Sequence, residues 1–288
     1  DNPYSLIVNR MSPSAFTRGH AHAIPYTLQY LAYLKEIGAQ VLNGYDAYVY
    51  EFSKARQISL LHRLGLRYPR ARVINDASQA PLAAVALNFP VIIKPNIGGS
   101  GAKIVRFDSI DELQAAADAD LLDLGIDHTA LIQEYLTADA DSIVRVEILG
   151  GKYLYAIRVF LSAGEFNLCP ADYCQVPEPG QANDSNGASG LAAEGLADGV
   201  SGRRAPVEGY SPPAQVIADV KGIMSAANIE VGGVEYLVNS ADGQVYYYDV
   251  NALSNFVANA PEVVGFDPFP QLVDYILARA GLQEPIRA

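Results

Sequence analysis

Glu235, Asp249 and Asn251 are the residues of this chain whose types and spacing point most directly to chemistry. Ala241, Asp242 and Gly243 make a plausible three-residue hairpin loop with glycine at its left-handed position. In that register Glu235 lies opposite Asp249, with Asn251 two residues on along the same face. Carboxylates facing each other across a largely apolar strand pair repel, so a positive group belongs between them. Two carboxylates and an amide oxygen suit Mg²⁺, which takes hard oxygen ligands and leaves positions for phosphate and water. A surface ladder compensated by Lys or Arg is the competing reading. A second candidate is the loop Gly98-Gly99-Ser100-Gly101, which follows a strand ending in Lys94. Successive glycine amides can form an anion nest, and a nearby lysine supplies the counter-charge. The loop is neither a Walker A sequence nor a dinucleotide fingerprint, and an ordinary tight turn competes with the phosphate reading.

Three further groups carry chemistry-bearing side chains. Arg18 and His20 precede a helix whose N-terminal amides favour an anion such as a substrate carboxylate; an exposed polar loop is the alternative. His20 and His22 lack further metal ligands nearby. Cys169 and Cys174, four residues apart with no second pair, read as packing or pocket-lining thiols rather than a zinc site. Ser254 and Asn255 follow the Asn251 strand closely enough to reach an acyl substrate.

The elements that must position these residues are legible in outline. Helices are expected over 23–37, over 54–64, from Ser78 to 87, and from Ser109 to about 124, the last with Glu112 completing a capping box. Strands are expected at 5–10, 72–74, 90–94, 103–107 and 131–135. Gly150-Gly151 suits a two-residue turn that would pair Glu147 with Leu154, Arg145 with Ala156 and Ile143 with Arg158. That pairing puts Arg145, Glu147 and Arg158 on one polar face, with Val144, Val146, Ile148 and Ile157 on the other. The stretch 176–213 is rich in Gly, Pro, Ala, Ser and Asn, lacks periodicity, and is expected to be a poorly ordered lid whose basic contacts are Arg203 and Arg204.

The 288 residues suit two domains; half are apolar and 18% charged, a globular balance. Lys and Arg total 20 against 32 Asp and Glu, a net charge of −12, which argues against nucleic acid or anionic lipid as partner. No apolar run approaches the roughly 18 residues of a membrane-spanning helix. Two cysteines fit a reducing compartment.

Taken in order, the pieces resemble the ATP-grasp enzymes, in the style of ribosomal-protein glutamate ligases and glutathione synthetases. The match runs through Ser53-Lys54 opening a helix, Val91-Ile92-Ile93-Lys94-Pro95-Asn96 before the glycine loop, Leu131-Ile132-Gln133-Glu134-Tyr135-Leu136 as an adenine-binding linker, then Glu235 and Asp249-Val250-Asn251. The resemblance implies an α+β ATP-grasp fold in which two subdomains, 51–136 and 137–288, grip ATP between two sheets. Residues 1–50 would be the remnant of an N-terminal α/β domain whose first portion is missing. It further implies that Lys54, Lys94, Gly98, Gly99, Ser100 and Gly101 hold phosphates. Glu134 and Tyr135 would meet adenine, and Asp141 (or Asp139) the ribose. Arg145, Arg158 and Asn167 would meet the phosphate or acyl group, and Glu235, Asp249 and Asn251 would bind Mg²⁺ or Mn²⁺. The implied activity is ATP-dependent ligation of a small-molecule or peptide carboxylate to an amine or thiol through an acyl phosphate, in a cytoplasmic protein; enzymes of this kind often assemble as dimers or tetramers, and both a monomer and a homo-oligomer stay open. A phosphotransferase or a non-ligating nucleotide-binding protein is the alternative.

Overall fold

The computed structural model describes residues 3–98, 103–161 and 206–282. At the N-terminus, β1 (Ile7–Val8) pairs in parallel with β2 (Val41–Leu42), and α1 (Ala23–Glu36) connects them. Of the strand expected at 5–10, only β1 forms. The buried stripe of α1, Leu31 and Leu34, packs on Tyr48 of α2 (Tyr45–Glu51). The sequence reading did not anticipate α2. Next comes α3 (Lys54–Arg63), capped by Ser53, whose Oγ accepts from the Arg56 amide, and burying Gln57, Leu60 and Leu61.

A four-stranded antiparallel sheet follows, formed by β3 (Ala71–Ile74), β4 (Val91–Pro95), β5 (Val105–Phe107) and β6 (Ala130–Glu134) in the order β3-β6-β4-β5. Two helices share its core, α4 (Ala80–Ala84) and α5 (Ile110–Asp118). Both are shorter than expected. Asp76, not Ser78, accepts the capping bond, and Pro81 sits in the first turn of α4. After α5 the chain turns through Asp120 at φ 53, so Leu122 and Leu124 enter the core from a non-helical stretch.

The second sheet has five antiparallel strands, β7 (Ser142–Leu149), β8 (Lys152–Phe160), β9 (Val207–Tyr210), β10 (Val231–Val238) and β11 (Val245–Asn251), in the order β11-β10-β7-β8-β9. One face packs on α6 (Ala214–Ala226) and the Leu60–Leu61 stripe of α3. The other packs on the segment after β11, on α7 (Ala260–Val264) and on α8 (Phe269–Arg279). Strand β9 lies inside the stretch expected to be a poorly ordered lid, so that expectation is corrected for 207–210. The remainder of the lid up to 205, with Arg203 and Arg204, lies outside the described residues.

A β-bulge also corrects the first hairpin. Leu149 pairs with Lys152 and Ile148 with Tyr153 as expected, but a bulge between Glu147 and Ile148 then shifts the register by one. Glu147 faces Tyr155, Arg145 faces Ile157, and Arg158 faces Val144. One extra residue turns every later side chain of a strand to the opposite face, and Arg158 leaves the face that carries Arg145.

The second hairpin reaches the expected result by another route. Asn239 pairs with Gln244, which makes the loop one residue longer than expected. A bulge between Glu235 and Tyr236 restores the register, and Glu235 faces Asp249.

Asn43 joins the N-terminal unit to this sheet. Its side chain is 3% exposed. It donates to the carbonyls of Val231 and Ala252, both at 2.6 Å, and accepts from the amides of Glu230 (2.8 Å) and Val231 (3.2 Å). Its φ of 50 is left-handed, a conformation asparagine tolerates better than alanine. Asn43→Ala strands several buried polar groups at once, each costing about 1–3 kcal/mol. We expect urea unfolding to show a loss of about 3–5 kcal/mol; stability equal to wild type would mean the four contacts contribute nothing net.

Candidate active site

The site is built on one face of the five-stranded sheet. Arg145, Glu235 and Asp249 form one cross-strand row, and Glu147, Gly233 and Asn251 form the next. Two glycines make the rows possible. A Cβ on Gly232 would lie 2.0 Å from the Asn251 carbonyl oxygen, so no side chain fits without parting β10 from β11. A Cβ on Gly233 would lie 3.0 Å from both Arg145 Nε and Glu147 Oε1, which occupy the space above it.

Lysines approach this face from two other elements. Lys54, the first residue of α3, donates from Nζ to Asp249 Oδ1 at 2.8 Å. Two buried amide side chains hold it there. Gln57 donates to the carbonyls of Tyr50 and Val250, each at 2.8 Å, and accepts from the Val250 amide, which pins α3 to β11. Asn96, just past β4, accepts from Ser53 Oγ and the Ala55 amide, both at 3.0 Å, and so ties the start of α3 to the entry of the glycine loop. Lys94 comes from β4 and is 5% exposed. A Cβ on Gly98 would lie 3.9 Å from Lys54 Cε, so the loop begins directly over that lysine. Gly99, Ser100, Gly101 and Asn167 lie outside the described residues, as do Cys169 and Cys174.

The charges are mutually adjusted. Burial and the neighbouring Asp249 raise Glu235, against the Arg145 guanidinium, whose Nη1 donates to Glu235 Oε1 at 3.1 Å. For Asp249, burial opposes ionisation, but Lys54, then Lys94 and Arg145, hold its carboxyl below the usual range. Burial likewise opposes charge on Lys54, and Asp249 reverses the effect, leaving it raised. Among the described residues no carboxylate is in hydrogen-bond contact with Lys94. Burial and the charge of Lys54 push it down to about 7. Glu51, at the end of α2, accepts from the Ala252 amide and is pushed up to about 7, chiefly by burial.

Several expected residues fall elsewhere. Arg158 donates to Glu208 Oε1 at 3.1 Å and lies 4.3 Å from the centroid of the Tyr210 ring, on the opposite face from Arg145. The Glu134 carboxylate is engaged by Arg70 Nε (2.9 Å) and the Asn88 amide (2.7 Å), while Arg106 lies over the Tyr135 ring. Asp139 and Asp141 occupy an exposed turn before β7. Arg18 and His20 are exposed, Arg18 bonding to Ser14 Oγ at 3.1 Å; the turn that ends at Arg18 packs through Ala15 and Phe16 near Ile97 of the loop. Ser254 is buried, its Oγ accepting from the Phe256 amide, and Asn255 accepts from Arg10 Nη2 at 2.7 Å. Sequence reasoning missed the parts played by Glu51, Gln57, Asn96 and Glu147. Gln57 had a signal, a polar residue spaced 3 and 4 from Leu60 and Leu61 on an otherwise apolar helical stripe.

Asp249, Glu235 and Asn251 fit a hard divalent cation. They present oxygen donors in adjacent rows, and the buried carboxylates already draw a guanidinium and an ammonium toward them. Among the described residues no three His, Cys, Asp or Glu side chains converge, so the donor set is two carboxylates and one carboxamide.

Two sheets with lysines above and carboxylates below define the ATP-grasp fold, and the whole-chain comparison agrees. The solved structure of the D-cycloserine synthetase DcsG superposes with a TM-score of 0.63 at 14% identity, over 98% of this chain and 85% of that one. The ATP-grasp ligase PsnB, complexed with minimal precursor, Mg and ADP, gives 0.59 at 16% identity, over 96% of this chain and 78% of that one. Residues 52–169 match the model of the RimK-like ATP-grasp domain. A D-alanine–D-alanine ligase of Haemophilus influenzae (strain PittEE) is 30% identical over 145 residues, 49% of this chain and 46% of that protein. The matched stretches span from about a quarter to about half the length of the curated relatives. No helix among the described residues is long and apolar enough to cross a membrane.

The depressed Lys94 generates a linkage prediction. Between about pH 7 and the ordinary lysine range, the unfolded chain carries a proton on Lys94 that the folded chain lacks. Its contribution to stability therefore rises with pH across that window. A phosphate beside Lys94 reverses the depression, so ATP binding at pH 8 should take up as much as about one proton. Calorimetry in buffers of different ionisation enthalpy reads this directly, and Lys94→Met should abolish it. Uptake that persists in the variant would remove Lys94 from the nucleotide site.

Proposed function

We propose that the chain uses ATP to activate a carboxylate as an acyl phosphate and joins it to an amine or thiol. The contact between Lys54 Nζ and Asp249 Oδ1 carries the reading. It brings a lysine close to Gly98 and a carboxylate of the five-stranded sheet to one point, where a phosphoryl group in transit needs cations on one side and metal-binding oxygens on the other.

In this reading Lys54 and Lys94 bind the transferring phosphate, and Arg145 faces the developing charge on the acyl oxygens. Glu235, Asp249 and Asn251 hold Mg²⁺, which when bound neutralises phosphate charge and aligns the nucleotide. Burial of the lysines strengthens their pull on the phosphate and keeps water from an acyl group that it would hydrolyse. The nucleophile attacks the carbonyl carbon, and inorganic phosphate leaves. No general base is assigned, because an acyl phosphate is electrophilic enough for a neutral amine. The names of the matched relatives, a D-alanine–D-alanine ligase and a probable alpha-L-glutamate ligase, support this reaction class over phosphate transfer alone.

Hydroxylamine tests the proposal. With ATP, Mg²⁺ and a pool of amino acids and short peptides, a ligase of this kind releases ADP and forms a hydroxamate, whereas a nucleotide-binding protein forms none. Asp249→Asn should eliminate hydroxamate while the melting curve stays close to wild type, since the change removes one charge from a metal site. Arg158→Ala, on the opposite face, should alter ATP affinity less than about threefold, well under the loss of a charge-assisted phosphate contact. Full hydroxamate yield from Asp249→Asn would reject the metal assignment, and a large loss of ATP affinity in Arg158→Ala would return that arginine to the site.

A further inference from the structure

Glu147 is 2% exposed, and its two oxygens are unequally used. Oε1 accepts from Arg145 Nε at 2.6 Å, while Oε2 is sealed from solvent and has no hydrogen-bond partner. A buried carboxylate oxygen without a donor is costly, and neither water nor a solute can reach this one where it stands. The donor beside it is Arg145 itself. That guanidinium is stretched between two carboxylates, with Nε on Glu147 and Nη1 on Glu235. Arginine satisfies a carboxylate best through a two-pronged contact, and Nε and Nη2 form the matching prongs on the Glu147 side. A pivot about the existing Nε bond that withdraws Nη1 from Glu235 would swing Nη2 toward Oε2.

We infer that Glu147 is a positioning residue that receives the Arg145 guanidinium when a divalent cation takes Glu235. The inference rests on the metal assignment proposed above. Before the metal arrives, Arg145 supplies the positive charge that Glu235 and Asp249 require, as Lys54 does on the other carboxylate. A divalent cation at Glu235 repels the guanidinium, and the free oxygen of Glu147 offers it a second seat one row along the sheet. Gly233 leaves the space between the rows clear for the swing, since a side chain there would meet both Arg145 Nε and the Glu147 carboxylate at 3.0 Å. Arg145 is then held on the same face, turned from metal substitute to a cation facing the acyl group. Lys54 has its alternative partner in the nucleotide phosphates; Arg145 has its own within the chain.

The test reads metal binding without turnover. Free Mn²⁺ is measured by electron paramagnetic resonance in the presence of a non-hydrolysable ATP analogue, for wild type, Glu147→Gln and Glu147→Asp. Glu147→Gln should weaken Mn²⁺ binding about tenfold, because the displaced guanidinium has no carboxylate to accept it. Glu147→Asp, which keeps the charge on a shorter arm, should recover part of the loss. Melting curves identify any variant that fails to fold, and for such a variant the Glu147→Asp titration decides. A purely structural Glu147 would lower the melting temperature and leave Mn²⁺ affinity unchanged, which overturns the inference. Absence of Mn²⁺ binding by the wild type would instead overturn the metal assignment beneath it, and a missing hydroxamate, with Mn²⁺ binding intact, would overturn only the ligase reading.

Discussion

Asp249 can stand opposite Glu235 inside a protein because Lys54 and Arg145 stand beside them. Two carboxylates in adjacent register on a mostly buried sheet face repel by several kcal/mol at the effective dielectric of a protein, on the order of 4 kcal/mol at 4 Å separation. The fold answers with cations from separate elements. Once Lys54 is required at that point, the start of α3 has no freedom. Gln57 must bond to the backbone of β11, Asn96 must bond to the start of the helix, and the loop after β4 must begin above Lys54. The relative placement of helix, small sheet and large sheet follows from charge compensation as much as from apolar packing.

The two faces of the large sheet divide the work accordingly. Val144, Val146, Val234, Tyr236 and Val250 close on α6 and supply a dry core. The other face keeps its charged rows between apolar neighbours such as Ile157 and Leu237. An ion pair in such surroundings is weak evidence of stability, because desolvation offsets the attraction. Its retention at a point reached from three elements is better explained by what the charges do for a polyanionic ligand.

The parts legible in the sequence were those with local signals. Glu235 opposite Asp249 could be read because Asp242-Gly243 anchors the hairpin, although a longer loop and a compensating bulge brought the pair together. The places of Lys54 at a helix start and Lys94 in a strand could be read because a cap and an apolar strand are local patterns. Arg158 was misplaced because nothing in Ile148-Leu149-Gly150-Gly151 announces the bulge at Glu147, and a one-residue slip reverses a face. Glu51 and Asn96 were invisible for a different reason. Their roles depend on partners hundreds or tens of residues away, Ala252 for Glu51 and Ser53 for Asn96, and short elements such as α2 carry too few apolar positions to set a period.

The single side chain of Asn43 also ties together parts of the chain about two hundred residues apart. Its bonds to Glu230, Val231 and Ala252, with Arg10 on Asn255, fasten the N-terminal unit to the open end of the β10–β11 hairpin, away from its turn. The four-stranded sheet is joined to the rest through Asn96 at the start of α3 and, along the connecting segment, through the backbone contact of Arg67 with Tyr247. The boundary between α3 and the end of β4 is held by the Asn96 contacts with Ser53, Lys54 and Ala55. Arg10 and Asn255, bonded to each other at 2.7 Å, carry the chain just past Asn251 on the N-terminal unit, so the segment that leaves β11 is anchored by residues from the other end of the sequence.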